Sequence, residues 1–189
     1  MAPRRSFGRH YAELAVPGLS IGVVAGAMAG GLTLLAGQST GWAAVSALAL
    51  AVPLGLLGAG YGMLLGPRSF GGRFSGLFRP GVFAPAGVYW LIGFPLARLV
   101  QETAAGLVLH GQVYLSGGLG GFLAYQAMVS LGFAIGFLWL HERFMPPWLM
   151  RVAGHNPEAA LLLRRYVEHA ETLSRARDRR RAKPKKGVR

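Results

Sequence analysis

Few residues in this chain are equipped for chemistry, and they stand far apart. Arg98 and Glu102 sit four residues apart in PLARLVQETAAG, so a helix would bring guanidinium and carboxylate together across one turn. Ionisable groups in so apolar a stretch are default candidates for a substrate or ion site. Thr33, Ser46, Gln101, Gln126 and Ser130 are the other polar residues of comparable depth. If they converge, they form a polar pocket with Arg98 as its one fixed positive charge. The plainer expectation is that Arg98 extends to the headgroup layer and Glu102 pairs with it there.

The remaining candidates are isolated. His110 has no second histidine near it, and His141 with Glu142 falls at the opposite end of the membrane in the topology below, so the two histidines do not share one site. The chain has no cysteine, which excludes thiolate metal sites and cysteine nucleophiles. Asp178 is its one aspartate, so no aspartyl dyad and no Asp-rich metal motif exists. HExxH, Walker A and GxSxG sequences are absent. No enzymatic constellation is present and no cofactor is expected, apart from bound lipid.

The elements that must position these residues follow from composition. The chain has 189 residues, of which 52% are hydrophobic and 14% charged. An average soluble domain carries about a quarter charged residues, so this is the balance of an integral membrane protein. Four apolar runs reach the roughly 20 residues that cross a hydrocarbon core: about 14–37, 42–66, 82–101 and 120–140. A barrel would alternate polarity within segments of about 10 residues. The expected fold is therefore an all-α integral membrane protein with four transmembrane helices and a C-terminal cytoplasmic amphipathic helix.

The division is a cytoplasmic segment over 1–13, a transmembrane domain over 14–142, an interfacial segment and amphipathic helix over 143–174, and a disordered polybasic tail over 175–189. Every Lys and Arg except Arg98 falls on one side of this arrangement. The positive-inside rule makes that side the cytoplasm, placing both termini inside the cytoplasmic (inner) membrane. The usage of Arg, Ala, Gly, Leu and Pro is that of high-GC bacterial genomes.

Glycines at spacing four mark helix-packing faces: Gly22, Gly26 and Gly30, then Gly58, Gly62 and Gly66, then Gly132 and Gly136. The loop PRSFGGRFSGLFRPG sets arginines among Phe70, Phe74 and Phe78, which suits an interfacial segment on anionic lipid; nucleic acid is not expected. Pro146 and Pro147 are expected to end the fourth helix. The segment 103–119 either extends the third helix or lies in the outer interface with Tyr114 as anchor.

After the prolines, Asn156, Pro157 and Glu158 read as N-cap, first helical residue and first-turn acid. Leu162, Leu163, Tyr166, Val167 and Leu173 then form an apolar face that needs a partner or a lipid surface. The leading expectation is a non-catalytic accessory subunit that binds other membrane subunits, with anionic lipid on its basic loop and tail. An oligomeric transporter or channel built around Arg98 is the alternative, and an intramembrane lipid-modifying enzyme is a third.

Overall fold

The computed structural model describes residues 3–68, 77, 78 and 80–182. The helices are α1 (Pro3–Leu35), α2 (Thr40–Leu64), α3 (Phe83–His110), α4 (Gly118–Val152) and α5 (Pro157–Ala182), and no strand occurs among the described residues. From α1 to α4, each is long and apolar enough to cross a membrane. In lipid, only internally hydrogen-bonded helices or closed barrels satisfy a spanning backbone. The chain is a multi-pass helical membrane protein.

Several helix ends differ from the sequence expectation. Helix α1 begins at Pro3 rather than near Leu14, and Arg9 pairs with Glu13 across one turn at 3.5 Å. Helix α3 takes the first 8 residues of the ambiguous 103–119 segment and stops at Gly111, whose φ of +68° is the left-handed cap conformation that glycine adopts freely. Tyr114 lies in the loop beyond it, exposed.

Pro146 and Pro147 do not end α4, which continues to Val152. Two prolines deprive the helix of two N–H donors. Tertiary contacts hold the last turn nonetheless: Leu149 and Val152 are buried, and the Trp148 indole N–H donates to the Glu13 carbonyl at 2.7 Å. Helix α5 likewise runs on to Ala182, through residues expected to be disordered. Arginine is a good helix former, Glu171 pairs with Arg175 at 3.2 Å, and Arg179, Arg180 and Arg181 complement the negative end of the helix dipole. The tail residues 183–189 and most of the basic loop, with Phe70, Phe74, Arg73 and Arg79, lie outside the described residues.

Glycine decides how α1 meets α2. A Cβ placed on Gly18 would fall on the Gly58 carbonyl, one on Gly22 on the Leu54 carbonyl, and one on Gly62 on the Leu14 carbonyl. Near the far end, a Cβ on Gly30 would lie 2.7 Å from Ala47 Cβ and 2.9 Å from the Ala43 oxygen. The two helices therefore touch backbone to backbone along their length, the geometry that small residues at spacing four permit in lipid.

Aromatic rings fill the space between α2, α3 and α4. Trp90 is fully buried, with its ring centroid 4.5 Å from Phe137 and 4.8 Å from Phe133; Tyr61 stands edge-on to Phe137 at 5.4 Å. Phe78, expected in the headgroup layer, instead turns inward and packs edge-on against Tyr61 at 5.9 Å. Burying that ring against others recovers dispersion contacts that an interfacial position forgoes.

The other flank of α1 is different. Between it and α4 lies an apolar groove of about 900 Å³, lined from Val16 to Leu32 on α1 and from Phe133 to Arg151 on α4.

Candidate functional site

Arg98, Gln101 and Glu102 come together near the far end of α3. The guanidinium donates to the Glu102 carboxylate at 2.6 Å and to the Gln101 side-chain oxygen. Gln101, buried, passes its amide N–H to the Ser46 carbonyl of α2 at 3.3 Å. Arg98 is thus neutralised within its own helix, and the cluster reaches α2 through the backbone of Ser46 rather than its hydroxyl.

The other proposed members do not join it. Thr33 returns its hydroxyl to the Ala29 carbonyl at 2.9 Å, one turn back in α1. Gln126 is buried in α4, and no hydrogen bond links it to Arg98, Gln101 or Glu102 among the described residues. Ser130 likewise closes on Ala127 at 2.6 Å. A hydroxyl in lipid finds an acceptor in its own helix at little cost. His110 packs edge-on to Trp42 at 5.0 Å.

The denser polar assembly is at the opposite, basic end. Asn156 is fully buried; its side-chain oxygen accepts the N–H groups of Glu158 and Ala159 at 3.0 and 3.1 Å, the N-cap expected for α5. Its amide N–H group reaches α1, donating to the His10 carbonyl and to Glu13, both at 2.9 Å. The same Glu13 carboxylate lies 3.1 Å from the His155 ring and accepts from Arg9. Glu158, 3% exposed, pairs with Arg68 at 3.1 Å. One side chain therefore caps α5 and fastens it to α1, while an ion pair ties it to the turn that follows α2.

A second fastening lies further along α5. Glu142 accepts the Gly81 N–H at 3.1 Å and faces the Tyr166 hydroxyl at a long 3.5 Å. Burial, and after it the Glu142 carboxylate, hold that hydroxyl well above the ordinary phenol range, so it remains a donor at neutral pH. Of the expected apolar face, Leu162 is fully buried, Tyr166 is buried and Leu163 is half-buried against the chain's own core. Val167 is 51% and Leu173 47% exposed.

His141 is one residue from Glu142 and so points about 100° away around α4. It is fully buried between Tyr61, edge-on at 5.1 Å, and Phe137, stacked at 5.5 Å, and among the described residues neither ring nitrogen has a hydrogen-bond partner. Sequence alone placed it at a helix end and gave no sign of this enclosure. No group of three or more His, Cys, Asp or Glu stands close enough to hold a metal ion among the described residues.

The glycines divide in the same uneven way. Gly22, Gly26, Gly30, Gly58 and Gly62 face the α1–α2 contact, and a Cβ on Gly66 would lie 2.8 Å from the Tyr11 ring. Among the described residues, a Cβ at Gly132 or Gly136 would meet nothing within 4 Å, so neither glycine serves a close helix contact there. Comparison with protein-family models, with curated proteins and with solved structures gives no match.

Proposed function

We propose that this chain is a non-catalytic accessory subunit of a larger membrane assembly, and that the far half of α5 is the part it presents to that assembly. The observation that carries the reading is the contrast along α5. Its first half is fastened by Asn156, Glu158 and Tyr166, whereas Val167 and Leu173 stand exposed, with Arg164 one turn before Val167 and Arg177 one turn after Leu173. A free helix of 26 residues gains little from being anchored so firmly unless its projecting half has work to do. Its apolar residues flanked by cations suit a partner surface that is apolar at its centre and acidic at its rim.

The distribution of Lys and Arg supports an orientation in the cytoplasmic (inner) membrane with both termini in the cytoplasm, which puts α5 on the cytoplasmic side. The transport alternative rests on Arg98, and its internal pairing with Glu102 and Gln101 leaves it little charge to offer a solute.

The experiment is gentle extraction of the tagged protein from its native membrane, with sizing and mass spectrometry of what accompanies it. Wild type should bring stoichiometric membrane subunits, and Val167→Glu with Leu173→Glu should lose them while the chain itself remains folded. Unchanged company in the double variant would overturn docking through α5. A clean homo-oligomer in both would move the weight to transport.

A further inference from the structure

The groove between α1 and α4 is lined almost wholly by apolar atoms. Among the described residues lining it, one is charged: Arg151, at the basic end. Arg151 is exposed, and among the described residues no carboxylate lies within ion-pair distance of it. Three acids of that end are engaged elsewhere: Glu13 with Arg9 and His155, Glu158 with Arg68, and Glu142 with the Gly81 N–H and Tyr166. An uncompensated guanidinium at the mouth of an apolar channel calls for an anion that carries its own apolar body.

We propose that the half of this groove nearest the basic end seats an anionic phospholipid, its phosphate on Arg151 and an acyl chain along the groove. Length supports the assignment. From Arg151 to Leu140 is 11 helical steps, about 17 Å, close to the roughly 15 Å of one leaflet's hydrocarbon. Trp148 lines the same mouth and has its indole N–H bonded to Glu13, the amphipathic ring that belongs at headgroup depth. Ser20, a small and exposed side chain of α1 in the same half, leaves room for a chain between the helices. A partner helix in the same place would have to bring an acid to Arg151, whereas a lipid phosphate is already at that level. This site is separate from the projecting half of α5 and does not depend on the accessory reading.

The test is native mass spectrometry of the full chain purified in mild detergent, titrated with phosphatidylglycerol or phosphatidylcholine of the same acyl composition. Wild type should retain phosphatidylglycerol preferentially, and Arg151→Gln should weaken that retention about fivefold, the effect of one cation at an anionic headgroup. Ser20→Trp should displace the chain and weaken it at least as much; Ser20 is exposed in the groove, so the fold survives. Arg143→Gln should change nothing, because Arg143 stacks over Trp139 outside the groove lining. Equal retention of both lipids by wild type, or unchanged retention in Arg151→Gln, would overturn the proposal. Inorganic phosphate in excess should leave the adduct intact; displacement by it would show an anion site rather than a lipid site.

Discussion

Helix α1 meets α2 on one flank and faces α4 across a groove on the other, although all three helices are comparably apolar. Toward α2 it presents Gly18, Gly22, Gly26 and Gly30, and the backbones close until no Cβ would fit. Toward α4 it presents Val16, Val24, Met28 and Leu32, and the facing wall of α4 brings Phe133, Phe144 and Trp148. Between water-soluble helices, the hydrophobic effect would favour closing both flanks. In lipid that drive is missing, so shape alone determines which contact is closed. The lesson is that hydrophobicity says where a membrane helix is, and small-residue spacing says what it touches.

The largest test of this contrast pairs two substitutions of the same chemistry. Gly22→Leu should destabilise the protein by about 3 kcal/mol or more, since the obstacle is the Leu54 backbone and cannot yield. Gly132→Leu should hold stability within about 1 kcal/mol, on the favourable side, because leucine is the better helix former and meets open space. Thermal or SDS unfolding of the purified protein reads both, and equal losses would refute the account.

An intermediate effect is expected where α1, α4 and α5 do join. Asn156→Ala removes a helix cap and two bonds to α1, a cost of about 2 kcal/mol. Hydrogen exchange should then rise in the first turns of α5 and leave the α1–α2 contact unchanged. Uniform protection along α5 would mean that this junction is not what holds it.

The smallest effect belongs to the far end. Arg98 and Glu102 are 24% and 36% exposed, and such a pair contributes about 1 kcal/mol or less. Arg98→Gln should therefore leave the melting profile nearly unaltered. A drop as large as that of Asn156→Ala would show that the Arg98 cluster, and not the basic end, organises the bundle.

The amino-acid order by itself determined that four segments span, where they roughly lie, and that glycine at spacing four would set the α1–α2 approach. Each follows from local quantities: length of apolar run, side-chain size and helical period. The Asn156 cap and the Arg98–Glu102 pair were legible for the same reason, since their partners lie within a turn. What only the tertiary structure decided depends on segments distant in the chain. Trp148 reaching Glu13 carries α4 past its two prolines, Asn156 binds α1 as well as its own helix, and Phe78 leaves the interface for Tyr61. Gly132 and Gly136 have the same spacing as the glycines of α1, yet they face open space. Spacing shows that a helix could be approached closely; which neighbour approaches is fixed by how all four helices share the volume between them.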